Sequence, residues 1–251
     1  QCPNRWECWG QGTATFMILG DHCTRDCRFC NVTHETPLPV DPQETDKVAK
    51  AIAELKLNHA VITSVTRDDL EDGGAAQFAA VTRAIHAYRP ECRVELLVPD
   101  LQGNHQALST ILMAKPEIFG HNLETVPRLY PLARAGADYQ RSLDLLAAAA
   151  QAAPDIPTKS GLMLGMGETM DEIPTVMQDL QQAGCRMLTL GQYLQPTRHH
   201  LPVVRYVEPS EFSSLRDIGL QLGFAHVEAG PLVRSSYHAA EQFEGDSDEQ
   251  P

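Results

Sequence analysis

Thr15-Phe16-Met17-Ile18-Leu19 runs through Gly20-Asp21-His22 into Cys23-Thr24-Arg25-Asp26-Cys27-Arg28-Phe29-Cys30. The first five residues are apolar or β-branched and suit a strand buried on both faces; a polar loop carrying three thiols follows. The same junction recurs down the chain. Strands are expected over 60–64, 93–98, 118–122, 158–164 and 187–193. Each runs into polar or glycine-bearing residues: Arg67-Asp68-Asp69 with Gly73-Gly74, Pro99-Asp100, Asn122 and Glu124, Gly165 to Glu168, and Gln195-Pro196-Thr197. Helical patterns fill 42–57, 75–88, 104–114, 125–151 with a break, and 169–183. The first of them opens with Asp41 as cap, Pro42 at the first helical position and Glu44 completing a capping box. Gly184 supplies the stop for the last.

Six βα units in series imply a parallel sheet with right-handed crossovers. An open doubly wound sheet and a barrel, whole or partial, both meet that requirement. No G-x-G-x-x-G follows the first strand, which disfavours the dinucleotide-binding open sheet. In a βα barrel the loops after the strands all lie on one face, where active sites form. The expected fold is α/β, a partial (βα)6 TIM-type barrel with N- and C-terminal extensions. Residues 1–14 form the first extension and 15–200 the barrel. Residues 201–240 form the second extension, with a capped helix over 209–222 and a short strand near 225–228. The acidic tail 241–251 is expected to be disordered.

Composition narrows the function. A chain of 251 residues buries a core without staples, and 43% hydrophobic with 21% charged residues is the balance of a globular protein. No apolar run reaches a membrane span and no signal-peptide pattern opens the chain. The net charge of −13, from 20 basic and 33 acidic residues, argues against nucleic acid or an anionic membrane held by charge. Seven cysteines, five of them within the first thirty residues, fit cluster or metal ligation better than a disulfide framework. Cys92 and Cys185 stand apart in apolar surroundings as core thiols.

Thiolates are the ligands that iron–sulfur clusters use, and C-x(3)-C-x(2)-C behind a strand can converge on one cluster. Three ligands instead of four leave one iron open, as a reactive site requires. The alternative is a structural zinc site, which would need His22 or His34 as a fourth ligand. With Phe29 before the last cysteine, the motif resembles the signature of the radical S-adenosylmethionine (SAM) superfamily. That resemblance implies a 4Fe–4S cluster on Cys23, Cys27 and Cys30. Its fourth iron would take the amino and carboxylate groups of SAM, and one electron would cleave SAM to a 5′-deoxyadenosyl radical. The run from Gly161 to Glu168 resembles the superfamily's G-x-I-x-G-x-x-E motif, with Met163 for isoleucine, and brings in Gly165 and Glu168. Gly73-Gly74-Ala75 resembles the glycine-rich SAM-amine motif without its glutamate, so only Gly73 and Gly74 carry over. Asn122, Glu124, Arg141 and Lys159 stand at or just beyond strand ends, as candidates for the SAM ribose and carboxylate. An ordinary ion pair or cap is the competing reading for each. Asp68, Asp69, Glu71 and Asp72 read as solvated loop acids.

Cys2-Pro3-Asn4-Arg5-Trp6-Glu7-Cys8 gives C-x(5)-C, and Arg234-Ser235-Ser236-Tyr237-His238-Ala239 lies near the other end. Together they closely resemble the lipoyl synthase family, which carries an auxiliary 4Fe–4S cluster on C-x(4)-C-x(5)-C and a serine of R-S-S-Y. Gly12-Thr13-Ala14-Thr15-Phe16 and His121-Asn122-Leu123-Glu124-Thr125 fit the same family, so the resemblance runs from Cys2 to about Ala239. It implies Cys2, Cys8 and Ser236 as auxiliary-cluster ligands. The motif's first cysteine would lie before Gln1, as in a chain that starts inside the motif. The implied activity is that of a sulfurtransferase of lipoate biosynthesis. Sulfur enters at carbons 6 and 8 of an octanoyl chain on a carrier lysine, two SAM molecules are cleaved, and the auxiliary cluster donates the sulfur.

Implied partners are lipoyl carrier domains of 2-oxoacid dehydrogenase complexes or the glycine-cleavage carrier protein, with a low-potential donor such as ferredoxin or flavodoxin. Neither nucleic acid nor membrane is expected. The expected location is the cytoplasm, or an organelle matrix in a eukaryote. Two alternatives stay open: another radical-SAM sulfur-inserting enzyme, such as a biotin synthase or tRNA methylthiotransferase, and a non-catalytic zinc-binding module. His199-His200 reads as a solvated loop pair, and Trp6 and Trp9 as packing for the terminal extension.

Overall fold

Seven strands form where the apolar runs lie: Thr13–Ile18 (β1), His59–Ser64 (β2), Arg93–Leu97 (β3), Ile118–Gly120 (β4), Thr158–Leu164 (β5), Met187–Gln192 (β6) and His226–Gly230 (β7). This is a computed structural model, and it describes residues 2–134 and 136–240; the tail 241–251 lies outside the described residues. Every neighbouring pair is parallel, and strand order in the sheet equals order in the chain. The seventh strand falls within 201–240 and pairs with β6, so the sheet continues one unit past the six expected.

Eight helices accompany the strands among the described residues: Arg5–Gly10 (α1), Glu44–Glu54 (α2), Ala75–Tyr88 (α3), His105–Leu112 (α4), Tyr130–Ala133 (α5), Tyr139–Ala152 (α6), Glu172–Gln182 (α7) and Pro209–Gln221 (α8). Helices α2, α3, α4, α6, α7 and α8 pack on one another in chain order. One helix layer outside a sequentially ordered parallel sheet is the barrel arrangement; a doubly wound sheet would reverse its strand order partway. Side chains alternate across each strand. Ile62, Leu96, Leu162 and Leu188 face outward into the cores with Phe78, Ile111, Met177 and Phe212. Each such buried side chain contributes roughly 1.5–3 kcal/mol. Thr63, Leu97, Gly161, Met163, Thr189 and Gly191 line the interior face.

Local contacts revise three expectations. Helix α2 starts at Glu44, and no side chain caps it. Asp41 instead accepts the Gln43 N–H at 2.9 Å and pairs with Lys47 at 2.8 Å. The Glu44 carboxylate accepts the Leu19 N–H through both oxygens, at 2.9 and 3.0 Å, which ties α2 to the end of β1. The short helix α1 went unforeseen, and its Trp6 and Trp9 are 74% and 56% exposed instead of packed. Gly184 does end α7, at φ +77°, where only glycine is unstrained. Cys92 and Cys185 are buried, as expected.

Lys159 takes the ion-pair reading. It lies two residues before Gly161 on the same face of β5, and its Nζ donates to Glu95 Oε1 at 2.9 Å. Glu95 Oε2 in turn accepts from His59 Nε2 at 3.3 Å, and all three side chains are buried. Burial works to raise the Glu95 carboxyl, but Lys159 and then His59 outweigh it and hold it below the usual range. These groups fill the barrel floor beneath the site. Removing one partner strands the other charge, so Lys159→Met is expected to lower unfolding stability by about 3 kcal/mol. A denaturant midpoint unchanged from the parent protein would show that the triad carries no such load.

Candidate active site

The cysteine loop sits over the C-terminal ends of the strands because neighbouring loops hold it at several points. Cys23 N–H donates to Thr33 O at 2.8 Å, and its Sγ accepts the Thr66 N–H at 3.3 Å. Cys27 forms an antiparallel bridge with Arg134, and the Arg28 N–H donates to Ala133 O at 2.9 Å. Between the first two cysteines, buried Arg25 forks onto two carboxylates: Asp68 at 2.7 and 2.8 Å, and Asp100 at 2.7 and 2.9 Å. Bidentate charge-assisted pairs of this kind fix direction as well as distance. Burial alone would raise the Asp100 carboxyl, yet Arg25's donors and charge, with Gln102 N–H and Arg141, bring it to about 2.

Arg141 therefore serves Asp100, with Nε at 2.9 Å, and not the cleft. Asp68 and Asp69 are partly open to solvent, as expected, but both are also ion-paired. Asp69 holds Arg67 at 2.8 Å, while Asp72 caps α3 by accepting the Gly74 and Ala76 N–H groups. His200, expected in solvent, donates to Cys30 O at 2.9 Å. Sequence spacing carries no sign of the Arg25, Arg141 and His200 pairings, because each joins segments from different βα units.

Cys23, Cys27 and Cys30 line one cleft together with Asn122 and Glu124. A second cleft shares Phe29, Cys30, Asn122 and Glu124, and continues along Leu162, Met163, Val233, Arg234 and Ser235. Glu124 has φ +69°, a left-handed backbone that costs a non-glycine residue of order 1 kcal/mol. Its N–H to Gly161 O at 2.9 Å and its carbonyl to Met163 N at 2.8 Å hold that conformation and aim the carboxyl inward. Burial raises this carboxyl, partly offset by the charge of Arg134 and a hydrogen bond from Asn122. Behind them His121 is buried; its desolvation and then Arg134 lower it to about 3, so the imidazole is neutral.

The glycine motifs shape backbone. A Cβ on Gly161 would stand 2.6 Å from Thr189 Oγ1 and 3.0 Å from Asn122 Oδ1, so the glycine makes room for Asn122. Gly165 turns at φ +105°, and the buried Glu168 carboxylate accepts its N–H and that of Met166. Gly73 and Gly74 take φ +60° and +93° before α3, packed on Leu101 and Leu19. Gly73, Gly74, Gly165 and Glu168 shape loops, whereas Gly161, within β5, lines the second cleft.

Residues 2–8 and 232–238 meet. Cys2, Cys8 and Ser236 line one concavity beside β1. Asn4 donates to Leu232 O at 2.7 Å, Glu7 meets Tyr237 and His238 at 3.3 and 3.2 Å, and the His238 N–H points to Cys8 Sγ. Ser235 lines the second cleft while Ser236 lines the Cys2–Cys8 concavity.

The donor sets suit clusters. Burial pushes Cys27 up to about 12, against some relief from Arg134, and pushes Cys30 up as well. Without iron these are neutral thiols; iron would displace their protons. Among the described residues no three His, Cys, Asp or Glu side chains converge on a single ion, which a structural zinc site would need. A cluster places its thiolates on different irons and needs no such convergence. His22 and His34 face carboxylates: His22 meets Asp21 and Glu35, and His34 meets Asp26.

A family model described as the radical SAM superfamily matches residues 17–180. The lipoyl synthase of Acidithiobacillus ferrooxidans is 59% identical over 96% of this chain and 77% of that protein. Those of Methylococcus capsulatus and Trichlorobacter lovleyi are 58% and 59% identical, over 96% and 95% of this chain and 75% and 85% of theirs. Among solved structures, methylornithine synthase superposes with a TM-score of 0.64 at 13% identity, over 85% of this chain and 70% of that one. Streptococcus suis SuiB bound to S-adenosylmethionine gives 0.65 at 10% identity, over 90% and 54%. At such identities these two show the fold alone. Among the described residues no helix is long and apolar enough to cross a membrane.

Proposed function

The chain belongs to the lipoyl synthase family of the radical SAM superfamily, and from that premise we propose that its two thiol sets divide the labour of sulfur insertion. Cys23, Cys27 and Cys30 hold the SAM-binding 4Fe–4S cluster; Cys2, Cys8 and Ser236 belong to the auxiliary one. When bound, the clusters and SAM supply the electron, radical and sulfur chemistry that side chains lack. The protein's own residues bind and orient. Phe29, Met163 and Val233 offer an apolar wall for the octanoyl chain, while Asn122 and Glu124 offer polar partners for the SAM ribose. A weak serine ligand beside thiolates suits a cluster that must give up sulfur.

One observation carries this reading. Adjacent Ser235 and Ser236 line different concavities, one walled by Cys30 and the other by Cys2 and Cys8. An acyl chain in the second cleft would therefore lie between the two thiol sets. The substrate is the octanoyl-lysine of a lipoyl carrier domain, and the reductant is a low-potential protein such as ferredoxin or flavodoxin. The working location is the cytoplasm. Segments 1–14 and 201–240 act as the auxiliary-cluster extensions of the barrel at 15–200.

The test is anaerobic incubation of iron- and sulfide-reconstituted protein carrying the complete C-x(4)-C-x(5)-C motif with SAM, dithionite and an octanoyl-lysine peptide, read by mass spectrometry. Product carrying two sulfurs is expected. Ser236→Ala should keep 5′-deoxyadenosine formation and lose most thiolation, and Ser235→Ala should be milder. If Ser235→Ala is the damaging change, the oxygen ligand moves by one residue.

A further inference from the structure

The loop after β6 touches the cysteine loop at two backbone positions far apart in sequence. His200 Nε2 lies 2.9 Å from Cys30 O, and the Leu201 N–H donates to Arg28 O at 2.9 Å. A carbonyl only accepts, so Nε2 carries the hydrogen. The opposite nitrogen, Nδ1, lies 2.9 Å from Thr197 Oγ1, which accepts the His199 N–H at 3.3 Å. The His200 backbone is held as well: its N–H donates to Thr197 O at 3.0 Å, and its carbonyl accepts from Gln195 Nε2 at 2.9 Å. The ring is thus fixed on both sides and from behind.

Set beside the other two thiols, this contact fills a vacancy in the scheme. Cys23 is held by Thr33 and Thr66, and Cys27 by the Arg134 bridge. Cys30 N–H donates back to Cys27 O within the loop at 2.9 Å, which leaves its carbonyl side to be fixed from elsewhere. We propose that His200 is a positioning residue for the third cluster ligand. By holding the Cys30 carbonyl it sets the orientation of the Cys30 backbone, and hence where Sγ stands in the cleft it shares with Asn122 and Glu124. It also couples that thiolate to the loop after β6, whose Leu194 is exposed.

The proposal rests on Cys30 being a ligand of the SAM cluster. The experiment uses reconstituted protein and follows the EPR signal of the reduced cluster that responds to SAM, during challenge with an iron chelator. Loss of one hydrogen bond to the ligand's own peptide should make that signal decay about fivefold faster in His200→Ala. His200→Gln, whose amide N–H can reach the same carbonyl, should restore most of the lifetime. Thr197→Val, which keeps the ring but removes its Nδ1 partner, should fall between. A wild-type decay rate in His200→Ala overturns the proposal. So does equal acceleration in the Ala and Gln variants accompanied by equal thermal destabilisation, because that marks a general packing role. A wild-type protein with no SAM-responsive signal defeats the underlying cluster assignment as well, and so is told apart from failure of the clamp.

Discussion

Cys27→Ala is expected to bring 5′-deoxyadenosine formation down to the level of iron-free protein. On the proposed assignment three thiolates would hold the SAM-binding cluster, each on a different iron, so no neighbour could stand in for the lost one. The half-buried Cys27 side chain presents nothing else within the loop to replace it, since Asp26 pairs with His34 and Arg25 with Asp68 and Asp100. The backbone should survive the change. Its bridge to Arg134 and the Arg28–Ala133 hydrogen bond are main-chain contacts that alanine keeps. Circular dichroism and the thermal midpoint should therefore match the parent protein while iron and acid-labile sulfide at this site fall away. A folded Cys27→Ala protein that still cleaves SAM would falsify the ligand assignment.

Cys8→Ala should separate the two halves of the reaction. The proposal assigns radical formation to the cleft of Cys23, Cys27 and Cys30, whereas Cys8 lines the concavity that holds Cys2 and Ser236. In a chain that carries the motif's first cysteine ahead of Gln1, the substitution should spare SAM cleavage and abolish thiolated product. The expected ratio of 5′-deoxyadenosine to product thus rises without limit, instead of both falling together. The parent arrangement accounts for the selectivity. Burial, then the nearby Cys2, raises the Cys8 thiol, so it is a neutral group until iron takes its proton. Its loss leaves the Asn4–Leu232 and Glu7–His238 contacts between the chain ends in place. Dithiolated peptide from this variant would end the idea that sulfur comes from the auxiliary cluster.

The charged residues near the cysteines show why sequence reading stopped short at the site. Arg25 lies in the motif itself, yet nothing in the spacing says that it binds Asp68, 43 residues on, and Asp100, 75 residues on. In a βα barrel the loops that meet at the mouth come from different units, so contact follows the closure of the sheet and not proximity in the chain. The same reason explains Lys159 and Arg141. Lys159 lies in β5 and Arg141 in the first turn of α6, and both are committed to carboxylates, Glu95 and Asp100.

By itself the sequence determined what depends on residue type and short periodicity. Apolar β-branched runs must be strands and their alternation with helical patterns must be parallel βα units, so six of the seven strands begin within one residue of expectation. Three thiols in one loop line one cleft because chain connectivity keeps them together. Gly161 and Gly184 answer backbone demands that few other residues meet. Only tertiary structure decided where distant groups meet: the seventh strand on β6, the His59–Glu95–Lys159 floor, the Arg25 fork, and the hold of His200 on Cys30. It also decided the split between Ser235 and Ser236, which are identical residues and adjacent. What separates them is the direction of one stretch of backbone, set by the docking of residues 4–8 on 232–238, segments more than 220 residues apart in the chain.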